Sequence, residues 1–215
     1  TQTAALIFGS YPSATTTEEY NGSSWTAGGA LGTARAFLAG AGTQTAGLAF
    51  GGNSDPPITN ATEEYNGTSW TGGGGLTTAR QQMAGFGIQT AALSSAGSSS
   101  TGQVALVEEY NGTAWTEVNN VTTVRNGLAG GGIQTAGLIF GGLTSAPALT
   151  GATESYDGTN WTTTSSMGTA RRILAGAVSA PNAAGLGFGG YAPGATAATE
   201  EFTGGTITKT FTTST

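Results

Sequence analysis

The chain has 215 residues, of which only 8% are charged and 38 are glycine. Its formal net charge of −6 and its single lysine, Lys209, exclude the basic surface that nucleic-acid binding requires. Cysteine and histidine are both absent, which excludes disulfides, thiol nucleophiles and the commonest ligands of zinc, copper and haem. We therefore expect no metal and no other cofactor.

The first elements of the chain are predicted to be a strand, a loop and a hairpin. "TAALIFG" (3–9) is a short apolar run typical of a strand, and the polar stretch "YPSATT" (11–16) predicts a loop. "EEYNGSSW" (18–25) then predicts two strands joined at Asn21-Gly22. A two-residue type I′ turn is expected there, because Asn-Gly tolerates positive φ at both central positions.

These elements return along the whole chain with a period of about 45 residues. Two sets of residues show it, each with steps of 45, 45 and 46: Trp25, Trp70, Trp115 and Trp161, and Arg35, Arg80, Arg125 and Arg171. A catalytic motif has no need of several copies, whereas a unit that must be stacked to bury its own apolar face does. The sequence therefore predicts one domain, 1–215, built as a repeat array.

Each full unit is predicted to contain four short strands. In the second unit they are "ARAFLAGAG" (34–42), "TAGLAFGG" (45–52), "ATEEYNG" (61–67) and "TSWTGG" (68–73). Helix is disfavoured, because Gly, Thr and Ser dominate and no apolar period of 3.6 residues persists. Four strands in about 45 residues predict the blade of a β-propeller.

The order of the repeated residues resembles the kelch repeat. Each unit has an apolar strand ending in Gly-Gly, then Glu-x-Tyr, a Trp five residues after the Tyr, and an Arg ten residues after the Trp. The pattern departs from the family's at Gly9-Ser10, at 94–100 and at Ile207. The resemblance implies an all-β, five-bladed kelch-type propeller with one incomplete blade. The expected blades are 1–33, 34–78, 79–123, 124–169 and 170–215.

Counting strands predicts how the ring is closed. Four blades are full, and the first is short of its innermost strand. We expect that place to be taken by "TITKTFTTS" (206–214) or by residues outside 1–215. The most apolar stretch, 173–190, contains Ser, Pro, Asn and several Gly, so we interpret it as two strands and a turn and expect no membrane insertion.

The repeated charges are predicted to pair inside the scaffold. Four glutamates each lie 17 residues before one of the repeated arginines: Glu18, Glu63, Glu108 and Glu154. Because a buried guanidinium needs compensation for its desolvation, we expect each arginine to bind one of these carboxylates or backbone carbonyls. Whether the carboxylate comes from the same blade as the arginine or from the neighbouring blade stays an open question at this point. Catalysis by the adjacent pair Glu63 and Glu64 is disfavoured, because neighbours along a strand point to opposite faces.

Function is predicted to lie on the segments that vary between the copies. They follow the second strand of each unit and share one face: 11–16, 53–60, 98–106, 143–151 and 191–198. Tyr11 and Tyr191 are their only aromatic residues and Asp55 is their only acid, so these three are the candidate binding residues. A surface with so little charge suits neutral glycans or an uncharged protein surface.

The alternation of "TQTAGLAFGG" (43–52) with "EEYNGTSWT" (63–71) is similar to kelch-like repeats in virion proteins of marine tailed phages. That resemblance implies a non-enzymatic, extracellular module on a tail or fibre. Its partners would be a host-surface glycan or other virion proteins, with homo-oligomers on the particle left open.

Two other functions remain as alternatives. One is a carbohydrate-active enzyme on a kelch-like propeller, and the other is a lectin-like propeller of cellular origin. An enzyme is disfavoured because copper oxidase chemistry needs His ligands and because Asp55 and Glu117 are the only acids outside the repeat pattern.

Overall fold

The computed structural model describes residues 3–179, 184–204 and 209–214, the last of these and Gly204 by their backbone alone. The described residues form strands, turns and bends, and no helix occurs among them. The longer strands form five antiparallel sheets, which are the blades of a β-propeller. The predicted all-β, five-bladed propeller is confirmed.

The strands are short and follow one another closely along the chain. The first two blades contain β1 (Ala5–Phe8), β2 (Thr17–Tyr20), β3 (Trp25–Ala27), β4 (Ala39–Thr43), β5 (Ala46–Phe50), β6 (Thr62–Tyr65) and β7 (Trp70–Gly73). The third contains β8 (Ala84–Ile88), β9 (Ala91–Ser95), β10 (Ser98–Ser99), β11 (Gly102–Gln103), β12 (Val107–Tyr110) and β13 (Trp115–Val118). The fourth contains β14 (Arg125–Asn126), β15 (Ala129–Ile133), β16 (Ala136–Phe140), β17 (Leu143–Thr144), β18 (Thr153–Tyr156) and β19 (Trp161–Thr164). The fifth contains β20 (Ala175–Val178), β21 (Ala184–Phe188), β22 (Thr199–Gly204) and β23 (Lys209–Ser214).

Each full blade is a meander whose strands keep their chain order. In the second blade the order is β4-β5-β6-β7, and the three other full blades repeat it. The innermost strands stand next to one another around the propeller axis, with β4 beside β8, β8 beside β15 and β15 beside β20. Because successive strands are antiparallel, the loops after the second strand and the crossovers between blades share one face.

The first blade has three described strands, in the order β1-β2-β3. The expectation that 206–214 takes the place of its innermost strand is wrong for 209–214, because β23 pairs with β22 as the outermost strand of the fifth blade. Consecutive strands usually pair with each other, and a hairpin with β22 is the local solution. Residues 206–208 lie outside the described part of the chain.

The apolar stretch 173–190 contains β20 and β21, with 180–183 outside the described residues. Its interpretation as two strands agrees with the structure. Across the described ranges, no helix has the length and apolar character needed to cross a membrane.

The Asn-Gly hairpins are closed by four-residue loops. In the first blade the loop is 21–24, in which Gly22 has a φ of 94° while Asn21 keeps a negative φ. The Asn21 side-chain oxygen accepts hydrogen bonds from the amides two and three residues later, at 2.9 and 3.0 Å. The predicted type I′ turn is therefore wrong, because the side-chain cap stabilises a turn in which only the glycine needs positive φ. Asp157 makes the same two bonds in the fourth blade.

Aromatic residues pack neighbouring blades against each other. Phe50 of the second blade lies on Trp115 of the third, with 4.7 Å between ring centroids, and Phe8 lies on Trp70 at 4.9 Å. A Cβ atom on Gly85 would come within 2.5 Å of the tip of the Phe50 ring. In three of the four Leu/Met-Ala-Gly sequences the glycine is therefore required by the close approach of a Phe of the preceding blade, at Gly40, Gly85 and Gly176.

A second row of contacts joins three of the repeated tyrosines, each to a Glu of the preceding blade. The Tyr110 hydroxyl donates to Glu64 at 2.5 Å. Two further pairs make the same contact: Tyr65 with Glu19, and Tyr156 with Glu109. Burial, helped by the neighbouring carboxylate, raises the pKa of Tyr110 to about 12. Between the fourth and fifth blades neither residue of the pair is present. Ser155 replaces the Glu in the fourth unit, and Phe202 replaces the Tyr in the last unit.

The indole nitrogens provide a matched pair of positions for a stability test. Trp115 Nε1 donates to Thr62 Oγ1 at 2.9 Å, whereas Trp161 faces Val107 at the equivalent position and its buried Nε1 has no hydrogen-bond partner. We expect Thr62→Val to lower the free energy of unfolding by about 1–2 kcal/mol, and Val107→Thr to change it by less than about 1 kcal/mol because a new hydrogen bond offsets the lost packing. Urea unfolding followed by tryptophan fluorescence measures both, and equal losses would contradict this.

Candidate binding site

The four repeated arginines are buried, and each is held inside one blade. Arg80 Nη2 lies 2.7 Å from Glu108 Oε1, and neither side chain is exposed. Arg80 Nη1 donates to the carbonyls of Ala96 and Leu106 at 3.0 and 2.7 Å. The other ion pairs are Arg35 with Glu63 at 2.7 Å, Arg125 with Glu154 at 3.0 Å and Arg171 with Glu200 at 3.2 Å. Arg35, Arg80 and Arg125 thus each fix both ends of the loop that follows the second strand. Arg171 donates instead to the carbonyls of Ala198 and of Gly187, which lies inside β21.

The partner of each arginine lies in its own blade, later in the sequence. Arg35 binds Glu63, 28 residues on, and not Glu18, 17 residues before it. Glu18 forms no ion pair within the described ranges, and Glu200, which the sequence prediction omitted, binds Arg171. Burial lowers the pKa of Arg125 to about 10 and the charge of its glutamate opposes the shift, so the guanidinium stays charged at neutral pH.

The five varying segments form the loop face of the propeller, defined by residues 11–16, 53–60, 98–106, 143–151 and 191–198. In the third blade the segment is a small hairpin of β10 and β11. A backbone bridge from Ser98 to Gln81 joins that hairpin to the residues leading into the innermost strand. Equivalent bridges join Asn53 to Ala36 and Tyr191 to Arg172. The loops are therefore extensions of the blades and have fixed positions.

Four residues surround the axis on the loop face, each two positions after a repeated arginine. This axis ring consists of Phe37, Gln82, Gly127 and Ile173, with φ values of 55°, 55°, 61° and 53°. The amides of the last three donate to the carbonyl of the preceding member at 2.9, 2.9 and 2.7 Å. Positive φ is an outlier for an aromatic or β-branched residue, and such strain is typical of ligand clamps.

A cavity of about 270 Å³ opens at the axis ring. Besides the ring, it is lined by Leu38, Met83, Leu128, Leu174 and Ala175. Phe37 and Ile173 expose 41% and 60% of their surface, which is high for large apolar residues. Beside them, Asn126 Nδ2 donates to Gln82 Oε1 at 2.8 Å. An apolar cavity with amide groups at its mouth suits a ligand that has both an apolar face and hydroxyl groups.

Two of the three residues predicted for binding stand beside the axis ring. Tyr11 is 79% exposed, and its ring centroid lies 5.7 Å from that of Phe37. Tyr191 is 45% exposed, and the guanidinium of Arg172 lies 5.5 Å from its ring centroid. Asp55 is exposed in a turn of its own loop, where it has a φ of 57°. No hydrogen bond or ring contact among the described residues joins Tyr11, Tyr191 and Asp55 to one another.

The axis ring was missed by the sequence prediction, although the sequence contains an indication of it. Within the constant pattern Thr-Ala/Val-Arg-x-x-Leu/Met-Ala-Gly, the two variable positions are Ala-Phe, Gln-Gln, Asn-Gly and Arg-Ile. Variation inside an otherwise constant motif indicates side chains that do not contribute to packing. The structure shows that the second variable position of each pair faces the axis cavity.

No family model and no curated protein matches this chain. Within the part of the chain that the structure describes, no three acidic residues lie close enough together to hold a metal ion. Function is therefore inferred from the geometry of the loop face.

Proposed function

We propose that this chain is a non-enzymatic, kelch-type propeller of a phage virion, carried on a tail or fibre, and that its loop face binds a neutral host-surface glycan. The observation that carries the proposal is the axis cavity of about 270 Å³, with Phe37 and Ile173 exposed at its mouth and Tyr11 and Tyr191 beside it.

The kelch assignment is supported by the structural part that each element of the repeat plays. The Gly-Gly pair of the second unit has φ values of 62° and 102°, which glycine adopts without strain. The Tyr and Trp pack between blades, and the Arg binds the Glu and, in three of the four full blades, both ends of the loop. The virion assignment rests on the similarity of the repeat sequences to those of kelch-like proteins of tailed phages.

The glycan assignment is supported by the chemistry of the loop face. Sugar rings have apolar C–H faces that pack on aromatic rings, and Tyr11 with Phe37 offers two such rings 5.7 Å apart. The Gln82 side-chain amide, whose Oε1 is held by Asn126 Nδ2, can donate its Nε2 hydrogens to sugar hydroxyls. The low charge of the loops favours a neutral ligand, and display of many copies on one particle would raise a weak single-site affinity.

Binding is favoured over catalysis by the positions of the two acids outside the repeat pattern. A glycosidase needs two carboxyl groups on either side of one bond. Asp55 is on the loop face of the second blade, whereas Glu117 is on β13, the outermost strand of the third, where it accepts a hydrogen bond from Thr77 Oγ1 at 3.0 Å. These two carboxyl groups belong to different surfaces.

A glycan array with the purified chain tests the proposal. We expect neutral glycans to bind, and the double variant Tyr11→Ala/Phe37→Ala to bind at least about tenfold more weakly, since two stacking surfaces are lost. Ile88→Ala is the matched control, because Ile88 is 53% exposed beside the opposite face, where the Gln-Thr turn follows β8.

Loss of glycan binding on Ile88→Ala, with no effect of the double variant, would mean that the glycan binds the face opposite the loop face and would contradict the proposal. If the chain bound no glycan on the array but did bind other virion proteins, the proposed ligand would be wrong and the partner would be a protein.

A further inference from the structure

Glu18 has the same place in the first blade as Glu63 has in the second. Glu18 is paired with Ile7 across the sheet, as Glu63 is paired with Ala49. Glu63 is buried against Arg35, whereas Glu18 is exposed and binds no arginine of the described residues. The fourfold repetition of the buried pair makes the exposed carboxylate of the first blade an exception.

The backbone around Glu18 already has the conformation that binds an arginine elsewhere. Arg35 is held by the Glu63 carboxylate and by the carbonyls of Gly51 and Ala61. The counterparts in the first blade, here called the guanidinium site, are Gly9, Thr16 and Glu18. The Gly9 amide donates to the Thr16 carbonyl at 2.9 Å, as the Gly51 amide does to the Ala61 carbonyl at 3.0 Å.

Two cavities adjoin this site and the strand beside it. One, of about 570 Å³, is lined by all three members of the guanidinium site. The other, of about 500 Å³, lies between β1 and β4. In the second blade the innermost strand, β4, pairs with the edge of β5 that corresponds to this edge of β1. The β1 edge therefore presents backbone donors and acceptors that an added strand would satisfy.

Two apolar side chains, one in the first blade and one in the fifth, are exposed where their counterparts in other blades are buried. Ile7 is 48% exposed, whereas Ile139 at the same position of the fourth blade is fully buried. Phe188 is 40% exposed, whereas Phe50 is fully buried and rests over Gly85 of the next innermost strand. A strand that covered Phe188 in the same way would need glycine at that position.

The hydrogen bonds of the axis ring also indicate that a strand can be added to the first blade. Its amide-to-carbonyl hydrogen bonds run from Phe37 to Ile173. In the described structure neither the Phe37 amide nor the Ile173 carbonyl takes part in a backbone hydrogen bond outside the strands. A fifth member, two positions after an arginine in the guanidinium site, would bond to both.

We propose that the first blade binds one extended peptide strand of the type Thr-Ala-Arg-x-x-Leu-Ala-Gly, supplied from outside residues 1–215. Its arginine occupies the guanidinium site, its backbone pairs with β1, and its glycine receives Phe188. A second copy of the chain is a poor donor, because its own four strands of this type are already innermost strands of its blades.

A synthetic peptide provides the direct test. The probe has the sequence of residues 33–43, TARAFLAGAGT, and is titrated into the purified chain by calorimetry. We expect saturable binding of one peptide per chain. A peptide with Arg35→Gln should bind at least about tenfold more weakly, since a charge-assisted contact is lost. A peptide with Gly40→Leu should also bind more weakly, because its side chain collides with Phe188.

Substitutions in the protein separate the arginine contact from general strand pairing. Glu18→Gln should weaken binding of the unmodified peptide by the same factor and should leave the affinity of the Arg35→Gln peptide unchanged. In a double-mutant cycle, this result would show that Glu18 and the peptide arginine interact directly. The control Asp55→Asn removes the same charge from an exposed position and should have no effect. Glu18 is exposed, so the variant is expected to fold, with an unchanged circular dichroism spectrum and Tm.

Three outcomes would overturn the proposal. They are the absence of saturable peptide binding, equal affinity of the Arg35→Gln and unmodified peptides, and a concentration-dependent dimer of the chain without peptide in analytical ultracentrifugation. Glycan binding by Tyr11 and Phe37 is unaffected by any of these results, so the two proposals fail independently.

Discussion

Arg80→Gln is expected to lower the free energy of unfolding by about 3–5 kcal/mol, because it leaves a buried carboxylate without its counter-charge. Glu108, the partner of Arg80, is fully buried and keeps only the amide of Thr77, at 2.7 Å, as a described donor. The substitution also removes the donor shared by the Ala96 and Leu106 carbonyls at the ends of the loop. Urea unfolding measures the loss.

Arg172→Gln is the matched control for this substitution. Arg172 is half-buried, and its guanidinium lies against the exposed ring of Tyr191, so we expect a loss of about 0.5–1 kcal/mol. The double variant Arg80→Met/Glu108→Met should recover part of the loss, since replacement of both charges removes the uncompensated carboxylate. Similar small losses for Arg80→Gln and Arg172→Gln would contradict a stabilising role of the buried pairs.

Phe50→Ala should have an effect of similar size, about 3–5 kcal/mol, because it opens a cavity in a close-packed interface between two blades. Phe50 is fully buried between the Trp115 ring and Gly85. Its loss should also change the fluorescence of Trp115, which serves as a local probe in the same unfolding experiment.

The fifth blade supplies the control for Phe50→Ala. Phe188 stands at the same position of the repeat but is 40% exposed, so Phe188→Ala should cost less than about 1 kcal/mol. Equal losses for the two substitutions would mean that the interface between the second and third blades is not packed as the structure shows.

The fold was predictable because its determinants repeat with the blade. One Trp, one Tyr, one Arg and one Gly-rich pair in each unit of about 45 residues are enough to define four strands and their order. The same periodicity hides the partner of each arginine. A Glu 17 residues before Arg35 and one 28 residues after it recur with the same step, so the sequence cannot distinguish a contact within a blade from one between blades.

The candidate site was predictable only in part. Tyr11 and Tyr191 stood out because they lie in loops that differ between copies, and the structure places both on the loop face. For the axis ring, the sequence shows only that its positions vary inside a constant motif; the positive φ values and the hydrogen bonds between blades that define the ring have no sequence pattern. The same holds for the guanidinium site, which consists of two carbonyls and one carboxylate brought together by the fold.

Hydrogen bonds hold both parts of the loop face in place, the loops and the axis ring. Arg35 fixes the two ends of the loop 53–60 through the carbonyls of Gly51 and Ala61, and the axis ring is tied by backbone hydrogen bonds. A binding surface held in this way loses little conformational entropy when a ligand binds. This supports recognition by a preformed site rather than by loops that fold on contact.

Immunogold electron microscopy of purified phage particles that encode this sequence tests the proposed function most directly. Two antibodies are needed, one against the loop 53–60 and one against the turn that contains Asn66 on the opposite face. We predict gold label on the tail or its fibres, and a loss of host adsorption with the first antibody alone. Particles without label, or adsorption blocked only by the antibody against the Asn66 turn, would contradict a virion propeller that binds through its loop face.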